Sequence, residues 1–270
     1  MNGSSKQLID SMDGTPIAIW RTGSGPPLVL VHGMIADHST TWRLVLPELS
    51  RWFTVYAMDR RGRGGSGNAP EYELRHEAED VAAVVDTVRA PVCLLGHSFG
   101  GLCALEATLL TEGIERLIVY EGVFLRGADF LSETLISTIE DLLGAGRTED
   151  ALVFFLREGA DLTEPEIELL RSNPDAWQLR LDNAWTIPRE WGVQRRYEFE
   201  EHRFRNMRAP TLLLVGSESP SRVLRAAHAV ARALPDARVS EMAGQEHIAM
   251  YTAPDLFVEE VVRFAGRWEA

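Results

Sequence analysis

The sequence predicts an α/β fold: a mostly parallel central sheet flanked by helices, with a helical cap inserted. Three observations lead there. Short continuous apolar runs alternate with longer stretches at helical spacing, the pattern of βαβ units. One apolar run passes through Gly96-His97-Ser98-Phe99-Gly100 directly into a small-residue helix. One long internal stretch, residues 123–208, contains no strand-like run.

The elements follow in chain order. A strand over 17–21 comes after the turn Met12-Asp13-Gly14. Residues 28–31 form a continuous apolar run of the kind buried on both faces. Further strands fall at 53–58, 92–96, 117–120, 211–215 and 238–242. A helix over 77–88 places Val81, Val84, Val85 and Val88 on one face. Another runs from Gly100 to Leu110, and a C-terminal one over 256–268 aligns Phe257, Val261 and Phe264. The strand-free stretch is punctuated by Gly144, Gly146, Pro165, Pro174 and Pro188, and it carries Trp177, Trp185 and Trp191. It reads as a cap (123–208) inserted into one core made of residues 1–122 and 209–270.

A chain of 270 residues buries about three quarters of its unfolded surface and needs no metal or disulfide to hold it. Its 27 Lys and Arg stand against 40 Asp and Glu, a formal charge of −13. That balance argues against a broad nucleic-acid or anionic-membrane surface and favours neutral substrates over polyanions, while the aromatic cap suggests a medium-sized one. The two cysteines, Cys93 and Cys103, sit in apolar or small-residue surroundings and read as buried hydrophobes. Residues 1–10 hold no apolar signal core, and no apolar run reaches membrane-spanning length. Cytoplasmic residence with no membrane partner is therefore the expectation. The oligomeric state stays open, a homodimer included.

The chemistry starts at Gly96-His97-Ser98-Phe99-Gly100, a G-x-S-x-G between strand and helix. A sharp turn there holds the serine in a strained conformation and lifts its hydroxyl above the sheet, at the start of a helix. The flanking glycines leave room for that turn, and the helix dipole favours developing negative charge. A serine needs a base. Of seven histidines, His247 stands apart, because it lies in the loop after the last strand, at the end where such sheets place their sites. An oxyanion needs two backbone N–H donors. Phe99, after the serine, is one candidate, and Met34, in the loop left by Val31-His32-Gly33, is the other.

At this point the chain resembles the α/β-hydrolase superfamily. The resemblance rests on the strand ending in His32-Gly33, the segment Asp59-Arg60-Arg61-Gly62-Arg63-Gly64-Gly65-Ser66, the serine turn, and Gly244 followed by His247. It covers nearly all of the chain outside the cap. The Asp59 to Ser66 segment is similar to that family's D-x-x-G-x-G-x-S loop, which supports the site structurally. It is no phosphate loop, because no Lys-Ser/Thr follows.

The triad acid departs from the family's usual pattern, since the expected slot holds Ser219. Two glutamates compete, Glu218 beside the slot and Glu121 at the end of the preceding strand. The spacing from Ser98 to Glu121 is similar to that in glutamate-acid branches, including the zearalenone lactonases, whose cap tryptophan resembles Trp177. An unpaired carboxylate at a buried strand end is costly, and a histidine Nδ1–H would satisfy it. Glu121 is thus the first choice.

The resemblance implies a serine esterase or lactonase with no cofactor and no metal, acting on a small-molecule ester or lactone packed on Trp177 and Trp185. The same fold hosts C–C bond hydrolases, perhydrolases and non-catalytic receptors, which remain alternatives. Haloalkane dehalogenation does not fit, because it needs an aspartate where Ser98 stands.

Overall fold

A computed structural model describes residues 5–123 and 133–266. Eight strands form one sheet: β1 (Ser5–Asp10), β2 (Pro16–Gly23), β3 (Pro27–Val31), β4 (Thr54–Met58), β5 (Val92–His97), β6 (Ile114–Tyr120), β7 (Thr211–Gly216) and β8 (Ala237–Met242). Their order is β1-β2-β4-β3-β5-β6-β7-β8. β2 runs antiparallel to both of its neighbours, and every other pair is parallel.

The central strands β3, β5 and β7 are buried almost throughout, as their continuous apolar sequences require. β1 was not anticipated. It is an edge strand exposed at every position except Ile9, so it carries no apolar alternation to read.

Helices α1 (His38–Thr41) and α2 (Leu46–Trp52) follow β3, and α3 (Leu74–Val88) follows β4. α4 (Phe99–Ala107) begins one residue after Ser98. It stops three residues short of the predicted Leu110. α11 (Ser221–Ala233), α12 (Ala249–Thr252) and α13 (Pro254–Ala265) complete the core. The helix predicted to reach Trp268 is seen as far as Ala265, and residues 267–268 lie outside the described residues. α3 packs on α4, α2 packs on α13, and α11 packs on β7 and β8. Together they cover the parallel sheet and close the apolar core.

Between β6 and β7 the described residues hold helices only: α5 (Glu133–Gly144), α6 (Thr148–Glu158), α7 (Glu164–Arg171), α8 (Pro174–Asn183), α9 (Ile187–Arg196) and α10 (Glu201–Phe204), with a 3-10 turn at Ala184–Thr186. The start of the predicted cap, through residue 132, falls partly outside the described residues. The prolines explain the segmentation. Pro165, Pro174 and Pro188 each sit in the first turn of a helix, where a missing N–H costs nothing.

Buried ion pairs tie these helices to the core. Glu190 of α9 reaches both Arg60, at 3.3 Å, and Arg63. Arg60 also pairs with Glu77 of α3 at 2.6 Å. Removing one partner from such a buried set would leave a charge uncompensated, which costs about 3–5 kcal/mol.

Candidate active site

Ser98 occupies the turn between β5 and α4 with φ +54° and ψ −130°. A non-glycine residue in such a conformation costs about 1–3 kcal/mol. The neighbours impose it. A Cβ at Gly100 would lie 2.3 Å from the His32 carbonyl oxygen, and one at Gly96 would lie 2.4 Å from that of Gly100. Only glycines let the turn approach the β3 loop this closely. Strain gathers here: of five non-glycine residues with positive φ among those described, Ile35, Ser98 and Glu121 all belong to this region.

The β3 loop is fixed from below. Arg60 N–H donates to His32 Nε2 at 3.0 Å, so the His32 proton sits on Nδ1 and is donated to the Gly33 carbonyl at 2.8 Å. Burial, with Arg60 and Arg63 nearby, pushes the His32 pKa down to about 3, so the ring is neutral. Arg60 Nη1 donates to the same Gly33 carbonyl at 3.1 Å. Two donors therefore hold the peptide whose N–H belongs to Met34. Phe99, as the first residue of α4, has an N–H with no acceptor inside the helix.

Asp59 explains the glycine-rich segment that follows β4. Its carboxylate is buried and accepts from His38 Nδ1 at 2.6 Å, from the Gly65 N–H at 2.8 Å and from Trp20 Nε1 at 3.1 Å. The segment is a structural brace, as expected.

Glu121 and His247 meet. His247 Nδ1 lies 2.8 Å from Glu121 Oε2. The other oxygen, Oε1, accepts from the Gly216 N–H at 2.8 Å and from the Ser219 hydroxyl at 2.5 Å. Burial pushes the Glu121 carboxyl up, but the bonds from His247, Ser219 and Gly216 outweigh it and hold the pKa below its ordinary value. Ser219, in the slot where the resemblance would place an acid, thus donates to the Glu121 carboxylate instead. Glu218 is exposed and bonds to the Ser217 hydroxyl.

Two residues that sequence reasoning passed over hold the His247 loop. Tyr120 donates its hydroxyl to the Glu246 carbonyl and accepts from the Ala249 N–H at 3.0 Å. His97 Nε2 lies 2.9 Å from the His247 carbonyl. Tyr120 was visible only as the last apolar residue of a strand, and His97 as a neighbour of the serine.

Ser98, His247, Glu121 and Met34 all line one cavity of about 1020 Å³, walled by Phe155 and Trp191 from the inserted helices. The expectation for Trp177 and Trp185 is corrected here, because neither lines it. Trp177 is 7% exposed, buried among the inserted helices, with Nε1 bonded to Glu149 at 3.3 Å and the Arg171 guanidinium 4.9 Å from its ring. Trp185 is 48% exposed, with Arg189 over its ring. A helical period alone could not tell which tryptophan faces inward. Trp177→Ala is therefore expected to lower stability by about 3 kcal/mol and leave the preference between long and short esters unchanged. Trp191→Ala should shift that preference. Melting curves and kcat/KM for a short and a long aryl ester measure both. A changed preference in Trp177→Ala alone would restore the original assignment.

Among the described residues, Asp37, His38 and Asp59 could approach a common cation. Their atoms are already committed to helix capping and to the Asp59 brace. No described helix is long and apolar enough to cross a membrane.

A family model described as the alpha/beta hydrolase family matches residues 28–260. The crystal structure of an alpha/beta hydrolase from Sphaerobacter thermophilus is 32% identical with a TM-score of 0.82, covering 96% of this chain and 99% of that one. A pimeloyl-[acyl-carrier protein] methyl ester esterase from Nitrosospira multiformis is 28% identical over 261 residues, 90% of this chain and 95% of its own. A pyrrolizixenacetamide deacetylase from Xenorhabdus hominickii is 32% identical over 127 residues, and the match spans only 48% of that relative's length.

Proposed function

The chain belongs to the alpha/beta hydrolase family, and on that premise we propose that it is a serine hydrolase cleaving a carboxylic ester or lactone through an acyl-enzyme intermediate. One observation carries the reading: a strained serine at a strand–helix turn lines the same cavity as a histidine whose Nδ1 is held by a buried glutamate. In this reading His247 takes the Ser98 proton, and Ser98 attacks the acyl carbon. The N–H groups of Met34 and Phe99 receive the oxyanion, assisted by the N-terminal dipole of α4. Glu121 keeps the His247 proton on Nδ1, so that Nε2 is free to act as base. The protonated ring then passes its proton to the leaving alkoxide, and a water activated by His247 releases the acid.

The similarity to a methyl ester esterase along most of the chain supports ester cleavage. A glutamate acid directly after β6 supports extending it to lactones, given the resemblance to the glutamate-acid branch. In this reading the described inserted helices, through Phe155 and Trp191, act as a cap that shapes the cavity. The test is a hydrolysis panel of aryl esters of graded chain length alongside aromatic macrolactones, with a fluorophosphonate to label the nucleophile. Turnover of the panel with labelling at Ser98 is the expected result. Binding without turnover or labelling would favour a receptor instead.

A further inference from the structure

A second, smaller cavity opens on the same serine. Its volume is about 60 Å³, room for about four waters or a group of a few heavy atoms. It shares Met34, Ser98, Phe155, Ala160 and His247 with the large cavity, so the two lobes meet at the nucleophile. The wall of the small lobe is mostly apolar. Among the described residues that line it, Arg180 of α8 is the one Arg, Lys, Asp or Glu.

Arg180 is 4% exposed. Nη1 donates to the Ala176 carbonyl at 2.9 Å and Nη2 to the Tyr251 hydroxyl at 2.8 Å. Both partners are neutral. Among the described residues no carboxylate pairs with it, whereas the buried Arg60 faces Glu77 and Glu190 and the buried Arg61 faces Asp80 and Asp13. A guanidinium offers five N–H donors and stays charged in a protein. Burying that charge without a counter-charge is costly unless something bound supplies one. Its planar fork matches a carboxylate.

We propose that Arg180 binds a carboxylate carried by the substrate, which is an ester or lactone with a short anionic arm in the small lobe and its bulk in the large one. This rests on the serine-hydrolase reading and narrows it, replacing the neutral substrate expected from net charge. Net charge describes the outer surface, and one buried cation beside the nucleophile outweighs it locally.

The test compares two aryl esters of equal heavy-atom count: 4-nitrophenyl hemisuccinate, and 4-nitrophenyl 4-methylpentanoate, in which an isopropyl group replaces the carboxylate. After subtraction of spontaneous hydrolysis, the wild type is expected to favour the hemisuccinate in kcat/KM by about ten- to a hundredfold, mostly through KM. Arg180→Met should bring that ratio to one or below, and Arg180→Lys should keep part of it. A wild type without the preference, or Arg180→Met with the preference intact, overturns the proposal and leaves Arg180 as a tie to Tyr251. Should Arg180→Met fail to fold, the wild-type ratio decides, together with whether succinate slows fluorophosphonate labelling of the wild type. Labelling separates the two readings. No label at Ser98 removes the serine-hydrolase reading itself, while a label without the preference removes only the anionic arm.

Discussion

Ser98→Ala is expected to lower kcat by about 10⁶-fold, because a triad serine acts with its base as a unit and its loss removes the covalent route altogether. The residual rate would come from the oxyanion donors and from binding. The variant should remain folded. Alanine keeps the Cβ, so the strained φ of +54° is neither relieved nor worsened, and the Ser98 N–H still donates to the Tyr120 carbonyl at 2.9 Å. A fluorophosphonate should add its mass to the wild type and leave the variant unmodified, with melting temperatures nearly equal. Labelling that persists in Ser98→Ala would place the nucleophile elsewhere.

Much of this candidate site is legible in the sequence, for physical reasons that differ by residue. Ser98 announced itself because the turn demands glycines at fixed offsets, and backbone crowding writes directly into sequence. His247 was readable from its place after the last strand. Glu121 required two cues, a polar residue ending an apolar strand and a serine in the slot where a carboxylate is usual. The donor role of Ser219 toward Glu121 had no cue of its own, since a hydroxyl 98 positions away leaves no local pattern.

The strands in the sheet centre were found because burial on both faces makes them apolar throughout. β1 escaped because an exposed edge strand carries no such mark. The inserted helices were expected as a group, but which of their faces turn to the cavity was not, because the same helices both line the cavity and bury apolar residues in the common core. Trp177 and Trp191 both occur in helical patterns, and only packing decides that Trp191 faces the cavity while Trp177 packs under Arg171. Arg180 is the sharpest case. The sequence pattern gave no cue for it, and its isolation from carboxylates among the described residues is a three-dimensional fact.

Glu121→Gln is expected to cost about 10⁴-fold in kcat while the protein stays folded, by analogy with triad acids replaced by their amides. The hydrogen bonds say why. Oε1 accepts from the Gly216 N–H and the Ser219 hydroxyl, and Oε2 faces His247 Nδ1. A glutamine keeps its carbonyl oxygen where the Gly216 N–H donates, which turns its NH₂ toward His247. That NH₂ needs an acceptor, so Nδ1 must give up its proton and the ring proton moves to Nε2. In that tautomer the nitrogen aimed at the reaction is already protonated and cannot take the proton of Ser98. Side-chain shape and volume are retained, so the melting temperature should change far less than kcat. Glu218→Gln, at an exposed position where the carboxylate accepts from the Ser217 hydroxyl, should keep most of the activity. The measurement is kcat on a short aryl ester with melting curves for all three proteins. Glu121→Gln retaining activity within about tenfold, or Glu218→Gln losing it by orders of magnitude, would transfer the acid to Glu218 and leave the serine and histidine assignments standing.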